Sequence, residues 1–149
     1  MNMAERKRSP GLSRFFLAVR AVAWLAKEDA ICPSVSIADG VHAHATFLRR
    51  LFAPLVRSGV AEVHEGRVGG YALARQPSEI TLAEIYQLTG GQLGAASSTA
   101  ADELIGEADA PVIHALEDIV RLGEARFVET LSQYTIADLV QRAADEKVT

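Results

Sequence analysis

Cysteine is almost absent from this chain of 149 residues: Cys32 stands alone, which excludes an intramolecular disulfide and any all-cysteine metal cage within one chain. Long uncharged apolar runs are missing as well. No stretch reaches the 18 or so residues that a membrane span needs. The opening Met-Asn-Met-Ala-Glu-Arg-Lys-Arg-Ser-Pro lacks the apolar centre of a signal peptide, so a cytoplasmic protein without membrane attachment is expected. Catalytic constellations are wanting too. There is no Ser/His/Asp set on a recognisable turn, no phosphate loop and no pair of carboxylates in a glycine-framed cleft, so the chain does not read as an enzyme. His42, His44, His64 and His114 fall at no metal-like spacing with one another or with Cys32, and read as scattered polar residues.

What the chain does have is apolar content sufficient for a core, 49%, with 23% charged residues. Its length suits one domain, or one domain with an appended oligomerisation element. The net charge of −4 conceals a division. Residues 1–75 hold 11 Lys/Arg against 6 Asp/Glu, a balance of +5, whereas residues 76–149 hold 4 against 13, a balance of −9. A basic half suits a polyanion, and an acidic half should point away from one.

Residues 1–11, with Arg6, Lys7 and Arg8 in succession, read as a flexible basic arm. Leu12 to Lys27 is apolar nearly all round at helical spacing, which predicts burial on two sides: against its own domain and against a second element, another subunit being one candidate source. Ser34 is placed to cap a short helix over Val35–Val41. A second helix from Ala45 to Ser58 buries Leu48, Leu51, Phe52, Leu55 and Val56, and sets Thr46, Arg49 and Arg50 together on its outward face near the N-terminal end. Pro54 predicts a bend, or a tightening from Phe52 onward. Gly59 follows where a left-handed cap belongs.

Val60–Val63 and Tyr71–Ala74 alternate as strands around a tip, Glu65–Gly70, that carries Arg67 and reverses through Gly69 and Gly70. Helix followed by basic hairpin is the layout of a winged helix. Thr81 with Glu84 three residues on predicts a capping box for a helix over Leu82–Thr89, ended by Gly90–Gly91. A loop rich in Gly, Ala, Ser and Thr comes next. Pro111–Tyr134, with Val112, Leu116, Ile119, Val120, Phe127, Val128 and Leu131 as its apolar set and Gly123 interrupting, would span roughly 35 Å as a helix and calls for a partner surface. Thr135 caps a last segment carrying Ile136, Leu139 and Val140.

These pieces, in this order, resemble the Rrf-type winged helix-turn-helix regulators of bacteria, the group that includes IscR, NsrR and CymR. The residues that carry the resemblance are S-x-S-I-A at Ser34–Ala38, F-L-R-R-L-F at Phe47–Phe52, G-G-Y-A-L-A-R-x-P at Gly69–Pro77, I-T-L-A-E-I at Ile80–Ile85 and Y-T-I-A-D-L-V at Tyr134–Val140. It implies a mainly α fold with a small β-hairpin wing. The winged helix-turn-helix domain would occupy residues 12–90, a flexible loop 91–110 and dimerisation helices 111–149. It further implies a homodimer on a palindromic operator of double-stranded DNA, acting as a transcriptional repressor. DNA contact falls by position to His44, Ala45, Thr46, Arg49, Arg50, Arg67 and Tyr71, and dimerisation to Val112, Leu116, Ile119, Val120, Phe127 and Leu131.

Two departures matter. Cluster-binding members hold an iron–sulfur centre through cysteines in the loop after the fourth helix, and Gly90–Ala110 has none, so the chain resembles the cysteine-poor branch and no cofactor is expected. Glu65 stands where many relatives carry a basic wing residue. Cys32 has two readings, an inert buried thiol and a redox switch beside the DNA-binding helices. A winged-helix protein-interaction module that does not bind DNA is the alternative function. A small-molecule sensor is another, its effector pocket lying between the winged helix and the long helix under a lid at Gln92–Ala110.

Overall fold

The computed structural model describes residues 10–91 and 110–148. Among them six α-helices and one hairpin follow in the order α1 (Pro10–Glu28), α2 (Ser34–Val41), α3 (Ala45–Arg57), β1 (Ala61–His64), β2 (Gly70–Leu73), a 3-10 turn (Pro77–Glu79), α4 (Leu82–Leu88), α5 (Ala110–Ser132) and α6 (Ile136–Glu146). Most of the expected arm and of the expected loop lie outside the described residues; Pro10 and Gly11, expected at the end of the arm, instead open α1.

The first helix is the spine. Phe15, Ala18, Val19, Ala21, Val22 and Leu25 are buried, and α2, α3, α4, α6 and β2 all pack against α1. Gly40 of α2 lies so close to Trp24 that an added Cβ would sit 2.6 Å from the indole. On another side of α1, Phe16 is 45% exposed.

In α3 the apolar stripe Leu48, Leu51, Phe52, Leu55 is fully buried, as its three-and-four spacing dictates. The helix runs through Pro54 and closes in a Schellman arrangement: Gly59 N–H donates to Val56 C=O (3.1 Å) and Val60 N–H to Leu55 C=O (3.0 Å). Gly59 takes the left-handed φ of 79° that this end requires. Ser34 does not cap α2. Pro33 holds the cap position, already extended at φ −57° and ψ 143°, and Ser34 is the first helical residue.

Strands β1 and β2 pair antiparallel with Ala61 opposite Leu73 and His64 opposite Gly70. A third short segment joins them, because Cys32 and Tyr71 exchange both backbone hydrogen bonds at 2.8 Å. Gly70 makes that approach possible: a Cβ there would lie 2.1 Å from the Cys32 carbonyl oxygen. The positive φ values of the tip fall at Gly66 (107°) and Gly70 (157°) rather than at an adjacent pair. Gly69 is required by space, its absent Cβ lying 2.4 Å from the His64 carbonyl.

The capping box expected at α4 is half formed. Thr81 Oγ1 accepts from Glu84 N–H at 3.2 Å, but the Glu84 carboxylate turns away to Arg75. At α6 the box is complete between Thr135 and Asp138, and the backbone N–H of Thr135, then its hydroxyl, hold the Asp138 carboxyl below its ordinary range. α5 is continuous through Gly123. Leu82 N–H donates to Tyr134 C=O and Ile136 N–H to Ile80 C=O, both 2.9 Å, so the chain returns to the start of α4 before α6 packs along α1 with Ile136 fully buried.

Candidate nucleic-acid interface

The exposed end of α3 is built by the α2–turn–α3 angle. His42 turns the chain in a left-handed conformation at φ 55°, and His44 sits at the N-cap of α3 in extended geometry, its carbonyl accepting from Leu48 N–H at 2.9 Å. No side chain caps this helix. His44, Thr46, Arg49 and Arg50 are exposed and Ala45 is half-buried, all around one helical end whose unpaired N–H groups favour an anion. Arg49 Nη2 donates to Ser34 Oγ on α2 at 3.4 Å, across the angle between the helices. Arg50 forms no ion pair or hydrogen bond among the described residues. The two guanidiniums leave the helix about 100° apart, one held toward α2 and one directed outward.

Arg67 is exposed at the tip of the hairpin, between Glu65 and Val68, the latter 88% exposed. On β1 the side chains of His64 and Glu62 meet at 2.9 Å. Tyr71 stands apart from the other expected DNA-contact residues. Its ring lies 4.6 Å from that of Phe52, so this half-buried side chain couples the wing to the packed face of α3. Two residues overlooked in the sequence flank the surface: Phe47 on the first turn of α3 is 41% exposed, and Val35 on α2 is 56% exposed. Phe47 could have been found, because it falls off the stripe of Leu48, Leu51, Phe52 and Leu55.

Cys32 is 7% exposed, its thiol pointing to Ala30 C=O at 3.6 Å. Burial, and then the nearby Glu28 carboxylate, push this thiol up from its ordinary pKa. A reactive thiol or a metal ligand needs the thiolate, which these surroundings disfavour. Among the described residues no three His, Cys, Asp or Glu side chains cluster as a metal site would require.

The residues expected at a dimer contact divide. Phe127 and Leu131 pack on the chain's own core, Phe127 with its ring 5.2 Å from Tyr86. Val112, Leu116, Ile119 and Val120 are 68%, 53%, 65% and 36% exposed. The lid expected over an effector pocket lies outside the described residues. An open cleft of about 430 Å³ lies elsewhere, between the end of α1 and the base of the wing, lined by Leu25, Asp29, Ile31, Leu73, Arg75 and Glu79 among others.

The family description "Rrf2: Iron-dependent Transcriptional regulator" matches residues 12–142. The chain is 36% identical over 111 residues to protein aau3 of Rhizobium meliloti (strain 1021), covering 73% of this chain and 68% of that one. It is 31% identical over 105 residues to a protein of Mycobacterium tuberculosis (strain H37Rv) named as an HTH-type transcriptional regulator, covering 68% of this chain and 62% of that protein. Its fold is similar to that of CymR, the global cysteine regulator of B. subtilis, with a TM-score of 0.63 at 24% identity, over 87% of this chain and 95% of that one. The family description carries iron, and the donors here do not fit an iron–sulfur centre. Such a centre takes several thiolates, whereas this chain has one cysteine, buried and held in its thiol form.

Proposed function

Because the chain belongs to the Rrf2 family of transcriptional regulators, a DNA-binding family of winged-helix fold, we propose that it acts in the cytoplasm as a homodimeric repressor on a palindromic operator. It works by binding double-stranded DNA and not by catalysis. The observation that supports this best is the exposed end of α3, where Thr46, Arg49 and Arg50 project from a helix whose opposite face is wholly buried. The major groove admits one α-helix, and an arginine can take guanine O6 and N7 together. Arg50, exposed and without an ion pair among the described residues, reads a base. Arg49, tethered to Ser34, grips a phosphate beside the N-termini of α2 and α3.

Arg67 contributes phosphate or minor-groove contact from the wing tip, with Glu62 and Glu65 limiting its reach. The exposed half of α5, from Val112 to Val120, meets a second copy. Phe16, exposed on α1, is part of the same contact. A small-molecule effector would set the occupancy of the operator.

The test is selection from sheared genomic DNA of the source organism with the purified full chain. Retained fragments should include the region upstream of its own gene and share an inverted repeat. Retention of fragments in proportion to their input would leave the protein-interaction alternative standing.

A further inference from the structure

We infer that Arg75, outside the DNA surface, is the positioning residue that fixes the recognition helix α3 relative to the wing and α4; this rests on the DNA-binding reading above. Arg75 leaves the chain two residues after β2. Its Nε donates to the carbonyl of Gly59, the residue that closes α3, at 3.2 Å. Nη2 meets Glu84 Oε1 on α4 at 2.5 Å, and Nη1 lies 3.5 Å from the Glu79 carbonyl of the 3-10 turn. One planar guanidinium with donors in a fixed fork thus holds three elements in one orientation. Ala74 N–H to Val60 C=O, 3.0 Å, fastens the same junction through the backbone.

The leverage comes from length. Gly59 lies roughly 15 Å along the helix axis from Arg49, so a tilt of about 4° at the Gly59 end moves the reading side chains by about 1 Å. Bidentate base contact does not survive such a shift intact. Glu84 sits at the start of α4, and two residues on Tyr86 donates from its hydroxyl to Glu124 of α5 at 3.1 Å. α4 thus touches both the long helix, through Tyr86, and the Arg75 junction, through Glu84. Diversion of Glu84 from its own helix cap to Arg75 is the local sign of this role.

The experiment measures affinity for a selected operator by fluorescence anisotropy at several salt concentrations, at a temperature where circular dichroism shows every variant folded. Arg75→Ala should weaken binding about tenfold, the scale of one misaligned bidentate base contact, with the slope of log K against log salt unchanged. Arg75→Lys should recover part of the loss through Glu84, and Glu84→Gln, which keeps Arg75 in place and covers failure of Arg75→Ala to fold, should reproduce part of it. A slope reduced by about one would make Arg75 a direct phosphate contact. Unchanged affinity in folded Arg75→Ala and Glu84→Gln, with only the melting temperature lowered, would make it structural. Either result overturns the inference. Failure of the wild type to prefer the operator over an unrelated duplex overturns the DNA-binding reading instead.

Discussion

Cys32 and Gly70 meet where the segment before α2 joins the wing, and each is determined by the other. The cysteine supplies a backbone edge for Tyr71, and the glycine leaves room for its carbonyl. Burial then makes the thiol a packing group, held in its protonated form. A folded-state pKa raised above the unfolded one contributes stability that is present below the ordinary value of 9.0 and is lost as pH rises through it toward the folded value. The urea midpoint should therefore fall as pH climbs past 9.0, and fall less in Cys32→Ala. Peroxide at neutral pH should leave operator affinity unaltered. Loss of binding in the oxidised wild type but not in Cys32→Ala would establish the switch reading. The sequence left both readings of Cys32 open because its partner, Tyr71, lies 39 positions away across the sheet.

At the scale of elements, α5 shows where periodicity stops informing. Its extent was legible, since the apolar set repeats at helical spacing from Val112 to Leu131. The division between its halves was not, because an apolar stripe looks the same whether its cover comes from the same chain or another. The position of α4 decides it: Tyr86 receives Phe127 and Glu124, whereas Val112, Leu116 and Ile119 stay exposed. The halves should respond differently to truncation. Phe127→Ala should cost about 2 kcal/mol or more of fold stability. Leu116→Ala with Ile119→Ala should lower that stability little when measured at dilutions below the dimer constant, while shifting sedimentation toward the monomer. Equal loss of stability from both, with unchanged sedimentation, would place the exposed half against its own chain. Helix caps taught the same lesson. Thr135–Asp138 is a local box and was found as such in part, through Thr135, whereas Glu84 was drawn from its box by Arg75, a partner nine residues earlier.

Across the whole molecule the charge division and the fold agree. The basic half supplies α1 to β2, with Arg49, Arg50 and Arg67 on its surface. The acidic half supplies α4 to α6, and α6 returns to pack along α1. Fold class and order of elements could be read in advance because the helix-hairpin-helix pattern is local: stripes, glycines and caps within a few residues of each other. The place of Tyr71 could not, since which face of the wing meets α3 is settled only by the packing of Phe52.

In the proposed complex the exposed end of α3 reads sequence. The direct measurement is an anisotropy titration of the selected operator, and of an unrelated duplex of equal length, with wild type, Arg49→Ala and Arg50→Ala. The wild type should bind the operator roughly 10³-fold or more tightly than the unrelated duplex. Arg50→Ala should lose about 1–3 kcal/mol on the operator alone, whereas Arg49→Ala should weaken both duplexes and lower the salt slope by about one. Operator affinity unchanged in both variants would contradict the claim and move the reading surface away from α3.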